Sequence, residues 1–94
     1  MENKYTMPSS QCMSHCCKLS ISEDKPIMLD YWTESLDKSV LVGVRDNQEK
    51  LLVKNEEEYT SPIIKIYKVE YEYIIVTENS IYVVSSDIAT RRIS

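Results

Sequence analysis

Four potential metal ligands lie within six residues of the chain: Cys12, His15, Cys16 and Cys17. Zinc sites in proteins use thiolate and imidazole ligands, so these residue types suit a metal. Their spacing does not suit a metal site, because structural sites combine ligands from two segments and the rest of the chain has no other Cys or His. We therefore predict neither a metal site nor a cofactor. Metal binding, acylation of the adjacent cysteines and disulfides between chains stay open as roles for an exposed thiol cluster.

Catalytic groups are sparse in the sequence. Glu70 and Glu72 are two residues apart and would share one face of a strand, so they could act as paired carboxylates. A catalytic triad would have to take its histidine from the N-terminal segment, where His15 is the only one. Gly43 is the only glycine, which excludes a glycine-rich phosphate-binding loop. We therefore predict that the protein is not an enzyme.

Tyrosines and lysines alternate in the second half of the chain. The residues concerned are Lys65, Tyr67, Lys68, Tyr73 and Tyr82. Aromatic side chains on an open sheet face, interleaved with cations, bind single-stranded nucleic acid by stacking. The acidic total charge opposes this function, since nonspecific nucleic-acid binding depends on cations. Nucleic-acid or nucleotide binding is therefore the alternative function, and half-buried tyrosines are the structural alternative.

Acidic residues give the leading functional hypothesis. The net charge is −4, and residues 27–88 hold twelve acidic and six basic residues. A compact acidic domain can present a negative surface to a partner protein with a basic surface. We therefore predict a non-catalytic protein that binds or inhibits such a partner through acidic side chains and a sheet edge. The predicted contact residues are Glu56, Glu57, Glu58, Glu70 and Glu72.

Length and composition bound the class of protein. A chain of 94 residues with 43% hydrophobic residues can form one small folded domain. The longest apolar run, residues 40–44, is too short to cross a membrane, and no secretion signal is present. Residues 27–88 lack cysteine, so we expect a cytoplasmic protein. Frequent Ile, Lys, Tyr and Asn, with one glycine, indicate an A/T-rich genome such as that of a phage, a virus or a low-GC bacterium.

The chain divides near Pro26. Before it, apolar residues follow neither a helical nor a strand period, and serines and prolines are frequent. This pattern predicts a flexible, cysteine-containing leader over residues 1–26. A small β domain is expected over residues 27–88, followed by a C-terminal tail over residues 89–94.

Strand patterns fill the predicted domain. Residues 40–54 form a hairpin, with Val40, Val42 and Val44 on one face of its first strand. With so little glycine, turns must use residues that tolerate a left-handed backbone, which points to Asp46, Asn47 and Asn79. A three-stranded meander follows over residues 63–85, with a two-residue loop expected at residues 79–80.

Both faces of the meander are apolar. One face carries Tyr73, Ile75, Tyr82 and Val84, and the other carries Ile74, Val76, Ile81 and Val83. A strand buried on both faces needs a cover on each, which a closed barrel, a sandwich or a second copy can provide. We predict an all-β fold, a small barrel or roll of about five to six antiparallel strands, and expect it to self-associate. A sandwich, or a mixed sheet with a short helix at residues 31–36, is the alternative.

Overall fold

The strand-forming segments assemble into two open four-stranded sheets in the computed structural model, which describes residues 6–93. The helices are α1 (Ser10–Glu23) and α2 (Trp32–Leu36). The strands are β1 (Ile27–Met28), β2 (Leu41–Val44), β3 (Lys50–Asn55), β4 (Glu58–Tyr59), β5 (Ile63–Val69), β6 (Glu72–Thr77), β7 (Ile81–Ser85) and β8 (Ala89–Arg92). Sheet A has the strand order β1-β7-β6-β5, and sheet B has the order β4-β3-β2-β8.

The prediction of a mostly β protein is confirmed, whereas a closed barrel of about five to six antiparallel strands is not formed. The two sheets are stacked and neither closes on itself. Both are mixed, because β1 runs parallel to β7 and β8 runs parallel to β2. Closure is unnecessary here, since α1 covers one apolar face of sheet A and sheet B covers the other. The predicted alternatives, a sandwich and a mixed sheet with a short helix, are both closer to this arrangement.

Two hydrophobic clusters lie on the two faces of sheet A. The helix-side cluster consists of Cys12, Cys16, Trp32, Ile74, Val76, Ile81 and Val83. The inter-sheet cluster consists of Tyr31, Val40, Val42, Leu52, Ile75, Val84 and Ile88. The central strands β6 and β7 contribute to both clusters, so the predicted division of the meander into two apolar faces is confirmed.

The register of the β6–β7 hairpin differs from the prediction by two residues. Ile75 lies opposite Tyr82 rather than opposite Val84, because the loop is formed by residues 78–79. Side chains alternate with a period of two, so this shift leaves every residue on its predicted face. The turn depends on Thr77, whose hydroxyl oxygen accepts the backbone N–H groups of Asn79 at 3.2 Å and Ser80 at 3.1 Å.

The predicted hairpin at residues 40–54 is present as β2 and β3, but its turn is built differently. The Arg45 N–H donates to the Glu49 carbonyl at 2.8 Å, and the Gln48 N–H donates to the Arg45 carbonyl at 2.9 Å. The left-handed residue is Gln48, with φ of 74°, rather than Asp46 or Asn47. This pattern is a turn followed by a bulge, which puts the left-handed conformation at the third loop residue.

A flexible leader is the wrong description of the segment that forms α1. Ser9 caps the helix, because its Oγ accepts the Cys12 N–H at 3.1 Å, and the helix ends at Asp24 with φ of 57°. Cys12, Cys16 and Leu19 recur at helical spacing and pack on sheet A. The sequence pattern concealed this stripe, since two of its three members are cysteines. The part of the leader prediction that concerns residues 1–5 lies outside the described residues.

The chain after residue 88 is a strand over most of its length. β8 pairs with β2, with Ala89 opposite Leu41 and Arg92 opposite Val44. Ile88 is buried in the inter-sheet cluster, and the Ile93 N–H donates to the Val44 carbonyl at 2.9 Å. Apolar residues at both ends therefore hold a strand that is itself exposed and polar. Its polar composition explains why the sequence predicted a C-terminal tail here.

Candidate functional site

The four outer strands of the two sheets differ in length. β1 and β4 have two residues each, and β8 has four, including Arg91 and Arg92. β5 has seven residues and forms the outer edge of sheet A. A short edge strand offers few backbone groups to another chain. Among the described strands, β5 is therefore the one long edge at which a further strand could be added.

Apolar side chains are exposed along β5. Ile64 is 57% exposed and Ile66 is 39% exposed, and the ring of Tyr67 is also partly accessible. A bulge interrupts the pairing with β6 between Ile63 and Lys65. The exposure follows from the position of the strand, since α1 and sheet B cover mainly β6 and β7, and only Ile63 and Val69 of β5 pack on the two clusters.

Hydrogen bonding along β6 shows which backbone groups of β5 point outward. The Ser86 N–H donates to the Tyr71 carbonyl and the Thr77 N–H to the Ser80 carbonyl, both at 2.9 Å, so odd-numbered positions face β7. Even-numbered residues of β6 therefore bond to β5, where Tyr67 lies opposite Ile74. By the same alternation, the N–H and C=O groups of Ile66 and Lys68 point away from the sheet.

A groove runs beside this edge, between α1 and β5. It comprises two cavities of about 460 Å³ and about 170 Å³, both lined by Leu19 and Tyr67. The larger one ends near His15 and Glu70. The remaining apolar lining residues are Ile64, Val69, Ile74 and Val76. The groove exists because one helix covers only part of the width of a four-stranded sheet.

The charged residues of β5 are two lysines on opposite faces. Lys65 lies on the helix side, with its Nζ 5.8 Å from the centroid of the Tyr67 ring, and Lys68 lies on the inter-sheet side. The ion pairs within residues 6–93 are Arg45–Glu49, Lys54–Glu58 and Arg92–Asp46. Neither lysine of β5 belongs to one of them. The edge is therefore locally cationic in an acidic protein.

The structure does not bring the five predicted acidic contact residues together. Glu56, Glu57 and Glu58 are exposed where β3 connects to β4 in sheet B, and Glu58 lies 3.7 Å from Lys54. The other two lie at the β5–β6 turn of sheet A. Glu70 is exposed there in a left-handed conformation, with φ of 57°.

The prediction that Glu72 contacts a partner is wrong, since its side chain is turned toward α1. It is only 8% exposed, and one of its carboxylate oxygens accepts the Ser9 hydroxyl at 2.9 Å. The pairing of Glu72 with Val69 places it on the helix side of sheet A. Its role is to hold the start of α1 against β6.

The residues predicted to bind nucleic acid are divided between the two faces of sheet A. Lys65 and Tyr67 lie on the helix side. Lys68, Tyr73 and Tyr82 lie on the inter-sheet side, where both tyrosines pack on the hydrophobic cluster. The ring of Tyr82 contacts that of Tyr31 edge to face at 5.3 Å. These side chains therefore do not form one stacking surface, and the half-buried alternative describes Tyr73 and Tyr82.

The cysteine cluster is split by α1. Cys12 and Cys16 are buried, whereas Cys17 is exposed. Burial, followed by the negative charge of Glu72, raises the pKa of Cys12. Burial, followed by the neighbouring Cys12, raises the pKa of Cys16 to about 12. The raised pKa values favour the protonated form of these two thiols. Because both are buried, the prediction of an exposed cluster is wrong for them.

The described residues do not assemble a metal centre. In the range 6–93, no three His, Cys, Asp or Glu side chains are grouped closely enough to hold an ion. Neither helix in that range is long and apolar enough to cross a membrane.

Sequence reasoning did not single out the exposed apolar residues of β5, Ile64 and Ile66. A signal was present, because lysines on both faces of one strand are typical of an edge. Comparisons of the chain with protein families, curated proteins and solved structures find no match. The geometry of the β5 edge and its groove therefore carries the functional argument.

Proposed function

We propose that this protein is a non-catalytic binding protein whose partner adds an extended segment to the open edge of β5. The observation that supports this function is the seven-residue length of β5, beside outer strands of two, two and four residues. Addition of a strand to an exposed edge is a common mode of peptide recognition. Backbone hydrogen bonds supply affinity and alternate side chains supply specificity.

A different protein suits this edge better than a second copy of the chain. Lysines on an edge strand disfavour pairing of two identical strands. The sequence predicted self-association because of the small size of the core and because an apolar sheet face needed a cover. Helix α1 and sheet B provide covers for the two faces of sheet A, which supports a different protein as the partner of β5. Self-association and a partner with a basic surface stay predictions of the sequence. The β5 edge itself favours a partner segment without excess positive charge.

The test removes one outward backbone donor. Ile66→Pro deletes an N–H that points away from the sheet, so it should block strand addition and leave the β5–β6 ladder intact. Ile66→Val keeps the N–H and is the matched control. Each variant is used to select binders from a displayed library of random ten-residue peptides. We expect wild type and Ile66→Val to select related peptides and Ile66→Pro to select none of them.

Two results would contradict the proposal. One is selection of the same peptides by Ile66→Pro, and the other is the failure of wild type to select any peptide. Thermal unfolding and amide exchange of β6 check that Ile66→Pro retains the fold, so that lost binding is assigned to the edge. Lys68→Pro removes the other outward N–H, and it gives an independent second variant if Ile66→Pro is unstable.

A further inference from the structure

The order of charges along β5 specifies the chemistry of its partner. Resting on the strand addition proposed above, we infer that the partner segment has the pattern acidic–apolar–apolar–acidic. The central part of β5 reads Lys65-Ile66-Tyr67-Lys68, with one cation at each end of an apolar pair. A strand paired with it places one residue opposite each of these four. Opposite charges stabilise a cross-strand pair, and like charges destabilise it.

The pattern does not depend on the direction of the partner strand. The four residues of β5 have the same charge order in both directions, so a parallel and an antiparallel partner need the same sequence of residue types. The two acidic residues are three positions apart and therefore lie on opposite faces of the sheet. One reaches Lys65 on the helix side and the other reaches Lys68 on the inter-sheet side.

Among residues 6–93, no carboxylate forms an ion pair with Lys65 or Lys68. Within sheet A, the residues opposite these lysines on β6 are Val76 and Tyr73. Glu23 lines the smaller cavity together with Lys65, and Glu70 lines the larger one together with Lys68. These two carboxylates repel acidic residues placed outside the central four positions. The charge pattern therefore favours acidic residues at the two ends of the four-residue segment.

The two apolar positions of the partner meet different surroundings. The residue opposite Tyr67 lies on the helix side, where it leans over the groove that Leu19 and Val69 line. The residue opposite Ile66 lies on the inter-sheet side, against a side chain that is 39% exposed. We therefore expect a bulky aliphatic residue opposite Tyr67 and a β-branched residue opposite Ile66.

Two blocked peptides test the inference directly. The first has the sequence Thr-Glu-Val-Ile-Glu-Thr, and the second replaces both glutamates with lysines. We expect wild type to bind the glutamate peptide about tenfold more tightly than the lysine peptide, because two attractive cross-strand pairs become repulsive. The double variant Lys65→Glu with Lys68→Glu should reverse this preference. Fluorescence anisotropy at low and high salt measures both affinities.

The matched control changes the net charge equally at two exposed cations that line none of the cavities beside β5, Lys38→Glu with Arg91→Glu. It should keep the preference for the glutamate peptide. Equal binding of the two peptides, or an equal loss of preference in the control, would overturn the inferred pattern. If the acidic pattern were overturned in this way but Ile66→Pro still abolished binding of the library peptides, the proposed strand addition would remain supported. A dimer of the free protein that Ile66→Pro dissociates would instead identify a second copy as the occupant.

Discussion

Sheet A exposes an edge strand, whereas sheet B exposes one of its faces. Sheet A is covered on both faces, by α1 and by sheet B, and is open along the edge strand β5. Sheet B is covered on one face and ends in short or arginine-bearing edge strands. Its outer face carries Leu41, Val53 and the half-exposed Tyr59 around a depression of about 410 Å³.

This difference separates two kinds of recognition. Sheet A offers backbone donors and acceptors, held rigidly because the strand behind them is buried on both faces. Sheet B offers side chains without an open backbone edge. The open edge depends on burial of both sheet faces. A strand with one solvent-exposed face and one unpaired edge would have few stabilising contacts.

Removal of the cover on sheet A should have the largest effect. Deletion of residues 1–24 uncovers Ile74, Ile81 and Val83 of the helix-side cluster. We expect the truncated chain to lose its cooperative urea transition and to bind a hydrophobic dye. Deletion of residues 89–94 removes an edge of sheet B and should weaken that transition but keep it. A truncated chain of native stability would show that the two sheets do not differ in their need for a cover.

Truncation of one aliphatic side chain on each sheet compares how much packing at that position contributes to the free energy of unfolding. Ile74 is fully buried in sheet A, whereas Ile93 lies partly exposed on the outer face of sheet B. Ile74→Ala should reduce the free energy of unfolding by about 4 kcal/mol and Ile93→Ala by about 1 kcal/mol. Urea denaturation gives both values. Equal losses would mean that the outer face of sheet B is as well packed as the centre of sheet A.

Alkaline pH should act on sheet A through its buried thiols. The pKa of Cys16 is about 12 in the folded protein, against an ordinary value of 9.0. The thiol therefore ionises earlier in the unfolded chain, and its contribution to stability, complete below pH 9, is lost as the pH rises toward 12. By pH 10 the loss is on the order of 1 kcal/mol for one such group.

Cys16→Ala should make the free energy of unfolding fall less steeply above pH 9. Cys17→Ala is the matched control, since Cys17 is exposed on the same helix. Urea denaturation at pH 7, 9 and 10 compares the three proteins. An unchanged slope in Cys16→Ala would show that this thiol is not the source of the pH dependence.

The smallest effect is expected on the outer face of sheet B. A Cβ added at Gly43 would lie 2.6 Å from Ile93 Cδ1 and 3.1 Å from Val53 Cγ2. Gly43→Ala therefore forces Ile93 to move and should cost about 1 kcal/mol. Combined with Ile93→Ala, it should cost less than the sum of the two single changes. Strict additivity would show that the two residues do not interact.

The strands were predictable because their signal is local. Alternation between Tyr73 and Val84 assigned each residue to a face, and it did so correctly even though the loop was misplaced by two residues. The turn conformations were not predictable from residue preference. The hydroxyl of Thr77 and the bulge at Gln48 replaced the expected left-handed asparagines.

The features that define the candidate site depend on distant parts of the chain. The lysines on both faces of β5 indicate an edge strand, but whether a further strand pairs with its outer side is a property of the whole sheet. The helical stripe of Cys12 and Cys16 becomes apolar packing only against β6 and β7. β8 finds its partner in β2, far back along the chain. Local pattern therefore predicted the elements, and only the assembled sheets showed which edge is open.

The hydrogen bond between Ser9 and Glu72 has a consequence for synthesis on the ribosome. The two residues are 63 positions apart, so α1 is made before the strands against which it packs. At about 5–20 residues per second, Glu72 is added roughly 3–13 seconds after Ser9. A 14-residue segment is only marginally helical on its own. During that interval Cys12 and Cys16 lack the strands β6 and β7 that bury them in the folded protein.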